Sequence, residues 1–309
     1  MAVSVLLGAK VMGSWVSCLG IILLCWLALN LIVRLVTSLM HMRWIKTVEW
    51  IDGSIMSYAE PFEEGKGEVA ILFIHGFNDL PYLWRRFTNR LAQKGFYCRA
   101  MRLPGAGEIS PSPSLEAMRR AVDDECSRLC KSYRKVIFVG HSMGGTLALD
   151  AALRYADNGD GENTIDRLVL LAPLIEVSMV RFPLLSARAA YRLVRLFLPM
   201  LKWVPSLFRE WLSAEDDSDF VYRRDHFIEV GAYKALFELV SDLYCADRNL
   251  LTIPTQVYVA ENDRVVDSNA TLEWFDGHEC SRALVVPNAS HIIPLGIHWK
   301  TIADTIVTQ

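Results

Sequence analysis

The sequence predicts an α/β protein in which a mostly parallel β-sheet is covered by helices. Short apolar runs, which suit buried strands, alternate along the chain with longer segments of helical composition. Residues 136–139 are continuously apolar rather than alternating, which is typical of parallel strands buried on both faces. The predicted strands are residues 69–74, 96–102, 136–139, 165–171, 255–260 and 282–286.

The segment RKVIFVGHSMGGTLALDAA, residues 134–152, places Ser142 between a strand and a helix. Residues 136–139 are uniformly apolar, whereas residues 146–152 have the composition of a helix. A chance glycine-rich turn is the alternative explanation for a bare G-x-S-x-G pattern. The strand before it and the helix after it favour a nucleophilic serine instead.

A strand that meets a helix so abruptly requires small residues on both sides of the serine. Gly140 and Gly144 provide them, and Gly145 adds clearance. Because the turn pushes Ser142 out of the sheet, its hydroxyl is exposed beside the first amides of the helix. The backbone N–H of Met143 can then stabilise an oxyanion when a substrate carbonyl is attacked.

The predicted strand at residues 69–74 ends in His75-Gly76-Phe77. This loop lies at the sheet edge where a second oxyanion donor is needed, and the N–H of Phe77 is the candidate. For His75 we favour a structural role, in which the side chain shapes the loop by hydrogen bonding rather than acting as a base.

The last two predicted strands are each followed by a residue suited to activate a serine. Asp263 follows residues 255–260, and His291 follows residues 282–286. A nucleophilic serine needs a base to take its proton and an acid to orient that base. Both loops belong to the sheet edge of Ser142, so His291 is the predicted base and Asp263 its acidic partner.

Two other carboxylates compete with Asp263 for this role. Asp267 falls in or next to the following helix, and Glu261 is closer to the body of the strand. The chain order serine, aspartate, histidine is the one expected for this architecture.

Composition excludes several classes of function. A net charge of -3 argues against a general nucleic-acid binder. The seven cysteines match neither a disulfide framework nor a zinc quartet, which suggests reduced thiols on the reducing side of a membrane. We expect neither a metal ion nor an organic cofactor.

The hydrophobic content of 52% is high for a soluble enzyme, so apolar sequence must lie outside the core.

That excess lies at the N-terminus, where residues 15–33 (WVSCLGIILLCWLALNLIV) are long enough to cross a bilayer. A cleaved signal peptide would have a shorter apolar core and a small-residue cleavage site. A buried helix of the catalytic domain would have a polar face. The sequence therefore predicts a single-pass membrane protein. Lys10 stands on one side, whereas Arg34, Arg43 and Lys46 follow the apolar run, which favours a cytoplasmic catalytic domain.

The chain divides into an N-terminal transmembrane anchor and linker, residues 1–44, and a catalytic domain, residues 45–309. Residues 174–248 interrupt the strand pattern with helical stretches and no clear strand, so they predict a helical lid inserted over Ser142.

Part of this lid, residues 177–212, is both basic and apolar. Arg188, Arg192 and Arg195 have the spacing of one helix face. They either face solvent on a lid that covers the active site, or meet anionic head groups of a nearby bilayer.

Together these motifs resemble the α/β-hydrolase family, in its branch of monoacylglycerol lipases, carboxylesterases and serine-aminopeptidase-like hydrolases. The motifs are Gly140-His141-Ser142-Met143-Gly144-Gly145, His75-Gly76-Phe77, Arg102-Leu103-Pro104-Gly105, Asp263 and Ser290-His291. The resemblance implies the α/β-hydrolase fold, Ser142 as nucleophile, His291 as base, Asp263 as its partner, and the amides of Phe77 and Met143 as oxyanion hole. One departure is Ala106, where that branch commonly has histidine.

The resulting hypothesis is a membrane-anchored serine hydrolase that cleaves acyl esters, with a lipid-derived substrate and the bilayer as its partners. A serine peptidase or amidase would use the same three residues. A catalytically silent membrane scaffold would have no need of all three.

Overall fold

The computed structural model describes residues 2–109, 111, 113–158, 165–179, 185–206 and 225–307. Among these residues, side chains are described for residue 15 and from residue 17 onwards, except residues 157 and 158. The strands are β1 (Trp50–Ile51), β2 (Ile55–Met56), β3 (Phe62–Glu64), β4 (Val69–Ile74), β5 (Tyr97–Ala100), β6 (Lys135–His141), β7 (Arg167–Leu171), β8 (Trp203–Pro205), β9 (Phe227–Glu229), β10 (Thr255–Ala260) and β11 (Ser281–Val286). The helices are α1 (Ala2–Ile45), α2 (Arg85–Ala92), α3 (Leu115–Ser132), α4 (Met143–Asn158), α5 (Ala187–Phe197), α6 (Val230–Cys245), α7 (Ser268–Phe275) and α8 (Trp299–Thr305).

A seven-stranded sheet forms the centre of the fold, in the order β11-β10-β7-β6-β4-β5-β3. All neighbouring pairs are parallel except the edge pair β3–β5, which is antiparallel. The predicted fold class, a mostly parallel sheet with covering helices, is confirmed.

Helices cover both faces of this sheet, which explains why its central strands are apolar without alternation. One hydrophobic cluster joins the sheet to α3, α4 and α6. The other joins the opposite face to α2 and α8. Phe73 and Phe138, on the neighbouring strands β4 and β6, are fully buried in these two clusters.

Charged side chains fix helix α4, which begins directly after Ser142, against its neighbours. Asp150 is buried and accepts hydrogen bonds from Arg119 of α3 at 3.0 Å and from Arg154 of α4 at 2.9 Å. Arg119 also pairs with Asp242 of α6 at 2.9 Å. Because Arg119 donates to both oxygens of the buried carboxylate, the ionic network holds α4 in register with α3 and α6.

Between β7 and β10 the chain forms a cap over the end of the sheet. The expectation of a cap without strands is wrong, because β8 and β9 form a short antiparallel hairpin beside α5 and α6. Strands of three residues carry too little sequence for a periodicity to be recognised. The predicted lid residues Arg181, Phe182, Leu184, Leu207, Phe208, Arg209 and Trp211 lie outside the described residues.

Helix α1 runs without interruption from Ala2 to Ile45. Its segment Ser17–Ile45 contains an 18-residue window with a mean hydropathy of 2.4, of which only 6% is buried. By length and composition, this is the one helix of the described residues that could cross a membrane.

Candidate active site

Three side chains from separate loops meet at the carboxyl edge of the sheet. Nε2 of His291 lies 3.0 Å from Oγ of Ser142, and Nδ1 lies 2.7 Å from Oδ2 of Asp263. A carboxylate accepts, so Nδ1 carries the proton and Nε2 is left to accept from the serine hydroxyl. The structure thus brings the predicted serine, histidine and aspartate into one hydrogen-bonded chain.

The turn around Ser142 is as tight as its sequence predicts, and its backbone is strained. Ser142 adopts a φ of 53°, in the left-handed region that L-residues rarely enter. A Cβ on Gly144 would lie 2.3 Å from the carbonyl oxygen of Ile74, and one on Gly140 would lie 2.5 Å from that of Gly144. Strand and helix can therefore approach this closely only because both positions are glycine.

The loop after β4 packs directly against the serine. A Cβ on Gly76 would lie 2.9 Å from Cβ of Ser142, so the backbone beside Phe77 passes next to the hydroxyl. Met143 follows the serine as the first residue of α4. The two amides assigned by sequence to the oxyanion hole thus belong to segments that flank Ser142, and their role stays a prediction.

His75 forms hydrogen bonds within the same loop region. Its Nδ1 lies 3.0 Å from the carbonyl oxygen of Gly76, and its Nε2 accepts from the N–H of Leu103 at 3.0 Å. Burial lowers the pKa of His75 to about 4, which keeps Nε2 unprotonated. The loop-shaping role expected for this histidine agrees with these contacts.

The other two acidic candidates have hydrogen-bond partners other than His291. The side chain of Asp267 caps helix α7 by accepting from the N–H groups of Asn269 and Ala270. Glu261 accepts from the N–H of Asn288 at 2.7 Å. Asp263 is therefore the carboxylate of the three that contacts the histidine ring.

The electrostatic environment suits a neutral histidine beside an ionised aspartate. Burial lowers the pKa of His291 below 6.5, although Asp263 opposes the shift. Burial alone would raise the pKa of Asp263, but His291 and the N–H groups of Val266 and Val265 together hold it below 3.8. At neutral pH the imidazole can thus accept a proton while the carboxylate stabilises the resulting charge.

Two buried residues to which the sequence analysis assigned no role, His141 and Asp79, contact the loops that carry the hydrogen-bonded chain. His141 is buried, with Nδ1 3.1 Å from Oδ2 of Asp79 and Nε2 2.9 Å from the carbonyl oxygen of His291. Asp79 itself is buried beside Gly76. The G-H-S segment does contain this histidine, but its partners come from distant loops, so spacing alone carries no signal for the contact.

An apolar cavity of about 420 Å³ opens onto Ser142 and His291. Its walls come largely from the cap. They include Tyr191, Val194, Leu198, Tyr233, Leu236 and Phe237. A site of this shape holds an apolar ligand with its reactive group at the hydroxyl.

Within the described residues, no three or more His, Cys, Asp or Glu side chains are grouped so as to hold a metal ion. Of the residues that line the cavity, Ser142 and His291 belong to the hydrogen-bonded chain that ends at Asp263.

Comparison with curated proteins gives partial matches. The chain is 30% identical over 106 residues to the thermostable monoacylglycerol lipase of Bacillus sp. (strain H-257), over 33% of this chain and 42% of the relative. It is 36% identical over 98 residues to the epoxide hydrolase of Caballeronia sordidicola, over 31% of this chain and 30% of that relative. The chain thus matches less than half the length of either relative.

Solved structures share the architecture more completely. The crystal structure of the Paleococcus ferrophilus monoacylglycerol lipase superposes with a TM-score of 0.62 at 17% identity, over 80% of this chain and 97% of that chain. At such low identity the likeness shows the fold. In addition, the model of the alpha/beta hydrolase family matches residues 71–305. Since this match spans most of the chain, from the second strand of the central sheet to its last helix, the protein belongs to the alpha/beta hydrolase family.

Proposed function

We propose that this protein is a membrane-anchored serine hydrolase that cleaves acyl esters derived from lipids. The observation that carries the proposal is the hydrogen-bonded chain of Asp263, His291 and Ser142 at the mouth of an apolar cavity. This combination provides an activated hydroxyl and a place for an acyl chain at the same point.

The chemistry follows from the geometry. His291 takes the proton from Ser142, whose oxygen attacks the ester carbonyl to form a tetrahedral intermediate. The amides of Phe77 and Met143 stabilise the oxyanion. His291 then returns the proton to the leaving alcohol, which leaves an acyl-serine. Water, deprotonated by the same histidine, attacks the acyl-serine and releases the acid.

The character of the cavity favours an acyl substrate. Its walls are mainly aliphatic and aromatic side chains, with Ser142 and His291 at one place in the lining. Such a cavity binds a hydrocarbon chain by removing apolar surface from water. The partial similarity to a monoacylglycerol lipase agrees with this substrate class.

The membrane part of the proposal concerns helix α1. We assign it as a single-pass anchor in the N-terminal part, residues 1–44, followed by the catalytic domain at residues 45–309. The basic residues Arg34, Arg43 and Lys46 on the domain side of the apolar run favour a cytoplasmic domain.

The test is labelling of the full chain in membranes with a fluorophosphonate probe, followed by hydrolysis assays. Wild type should be labelled and Ser142→Ala should not, whereas Ser206→Ala, which changes another cavity serine, should retain labelling. Rates on esters of increasing chain length, with an aminoacyl amide beside them, then test the substrate class. Absence of labelling in folded wild-type protein would contradict the proposed activity.

A further inference from the structure

Helix α1 contacts the rest of the protein through one narrow stripe of its surface. The stripe contains Trp26, Asn30, Thr37, His41 and Trp44, whose spacings of four, seven, four and three residues follow the helical repeat. Asn30, His41 and Trp44 are buried, and the other two are half-buried. The remaining surface of this part of the helix exposes Arg34 and Arg43. The rest of it is mainly apolar and exposed, including Leu29, Leu31, Ile32, Leu35, Val36, Leu39 and Met40.

The domain-proximal end of the stripe packs on the cap hairpin. The ring of His41 stacks on that of Trp203 in β8, with 3.5 Å between centroids. Trp44 packs against Phe227 of β9 at 6.0 Å between centroids. The cap hairpin is thus fixed to α1 as well as to the catalytic core.

Nearer the N-terminus of α1, two polar side chains donate hydrogen bonds to the end of the cap helix α5. The carbonyl oxygen of Phe197 accepts from Nε1 of Trp26 at 2.9 Å and from Nδ2 of Asn30 at 3.1 Å. Oδ1 of Asn30 in turn accepts from the N–H of Met200 at 3.4 Å. Phe197 is the last residue of α5, where helical carbonyls lack partners within the helix. We call Trp26 and Asn30 the cap clamp.

Helix α5 is apolar on two sides. Its inner side, which includes Tyr191 and Val194, lines the cavity that opens onto Ser142. Its outer side exposes Leu193, Leu196 and Phe197, with 66% of Leu196 and 59% of Phe197 accessible. One helix therefore separates the cavity from an exposed apolar surface, and the end of that helix contacts α1.

The arginines of α5 do not all face outward, contrary to both alternatives drawn from their spacing. Arg188 donates to Oγ of Ser241 and to the carbonyl oxygen of Phe237, both on α6. Arg195 donates to the carbonyl oxygen of Pro199 within the cap. Arg192 is exposed. The outer side of α5 is therefore mainly apolar rather than basic.

The cap clamp lies inside the charge-free part of α1. Asn30 and Trp26 precede Arg34 by four and eight residues, which corresponds to about 6 and 12 Å along the helix axis. Interfacial helices bury their apolar side about 5–10 Å into the boundary between head groups and acyl chains. With Arg34 at the head groups, the two residues that bind the end of α5 lie about 6 and 12 Å deep, which overlaps this boundary region.

We propose that the outer side of α5 (Leu193, Leu196 and Phe197) lies in the same bilayer that α1 crosses, and that the cap clamp holds it there. The inference rests on the proposed function for its substrate. The additional claim is that the ester substrate enters the cavity from the membrane leaflet. The reason is that one side of α5 faces lipid while its other side lines the cavity. Water-soluble esters need no such arrangement.

The first experiment asks what covers α5. A benzophenone amino acid is placed at Leu196 in the full chain, in phosphatidylcholine vesicles, and irradiated. Controls carry it at Leu23 on the exposed side of α1 and at Lys234 on the exposed side of α6. We expect phosphatidylcholine adducts at 196 and 23 but not at 234. Crosslinks at 196 to a second copy of the chain, or no lipid adduct there, would overturn the proposal.

The second experiment tests the cap clamp with Asn30→Leu. Thr37→Val is the matched control, since the hydroxyl of Thr37 bonds only to carbonyls of its own helix among the contacts described. We expect Asn30→Leu to lower hydrolysis of a long-chain ester in vesicles about tenfold, with fluorophosphonate labelling of Ser142 and hydrolysis of a short soluble ester unchanged. Equal vesicle rates for Asn30→Leu and Thr37→Val would overturn the role of the clamp.

These outcomes separate the two proposals. Loss of the proposed function would appear as absent labelling of Ser142 in wild type, whatever the photoadducts. Failure of the bilayer inference would appear as intact labelling without lipid adducts at position 196.

Discussion

Nε2 of His141 lies 2.9 Å from the carbonyl oxygen of His291, so the residue before Ser142 holds the loop that carries the proposed base. A carbonyl oxygen can only accept, and Nε2 therefore donates this bond. The other ring nitrogen contacts Asp79, which lies next to the loop of Gly76 and Phe77. One buried ring thus connects the base to the segment of the proposed oxyanion hole.

We expect His141→Phe to lower kcat by about tenfold to a hundredfold with little change in KM, because the ring volume stays but the loop of His291 loses its hydrogen bond. Steady-state kinetics on a short ester measure this split. His298→Phe is the control, since its hydrogen bond to the carbonyl oxygen of Pro287 is exposed. A KM effect alone would show that His141 does not position the base.

The acidic partner of His291 can be tested by two matched substitutions. Asp263→Asn should lower turnover by about 10⁴-fold, because an amide no longer fixes the histidine tautomer. Asp267→Asn should have little effect, since asparagine also caps a helix well. Circular dichroism checks that both variants fold. Full activity in Asp263→Asn together with loss in Asp267→Asn would reverse the assignment.

Burial of His291 sets the direction of the pH dependence. Its lowered pKa means that the neutral, proton-accepting form persists below pH 6.5 and is lost as the pH falls through the lowered value. We therefore expect the acid limb of kcat/KM to have its midpoint below pH 6.5. Enzyme exposed to each pH and returned to neutrality controls for unfolding. A midpoint above 6.5 would contradict the effect of burial.

The tight turn gives a prediction for two adjacent glycines. Gly144→Ala should abolish activity and destabilise the protein, because its Cβ would lie 2.3 Å from the carbonyl oxygen of Ile74. Gly145→Ala should be far better tolerated, since its nearest neighbours would be 3.2 Å away. Fluorophosphonate labelling and thermal unfolding of both variants provide the comparison. Equal losses would mean that the close contact of α4 with β4 is not what restricts position 144.

The proposed anchor predicts behaviour in fractionation. The full chain should stay in the membrane fraction after a carbonate or high-salt wash, because extraction would expose the apolar length of α1 to water. Protease added to the outside of intact cells should leave the catalytic domain intact. Release by carbonate would contradict a spanning helix, and digestion from outside would reverse the orientation.

The sequence predicts the sheet and the contact of Ser142 with His291 well, for a physical reason. Continuous apolar strands, a glycine-flanked serine and two late loops each carry a local signal, and parallel topology brings the carboxyl ends of those strands to one edge. Four of the six predicted strands differ from the observed ones by a residue or two at one or both ends, since strand ends are set by tertiary packing rather than by composition.

The contacts between α1 and the cap, unlike those of the sheet and of Ser142, could not be predicted from local sequence patterns. In the sequence, Trp26 and Asn30 are parts of an almost uniformly apolar run. No nearby residue indicates that the amide of Asn30 forms a hydrogen bond to a distant helix. Only the fold brings Phe197 to them. Likewise the spacing of Arg188 and Arg195 places them on one helix face without showing that α6 and the cap occupy that face.

At Ser142 the proposed reaction requires a side-chain hydroxyl, whereas the backbone conformation is one that favours glycine. A φ of 53° costs an L-residue about 1–3 kcal/mol, and glycine would adopt it freely. In a protein that kept this fold only as a scaffold, Ser142→Gly would relieve this strain and would give up only the hydrogen bond to Nε2 of His291. A hydroxyl at a left-handed position, which strains most side chains, therefore supports the proposed reaction over a role in shape alone.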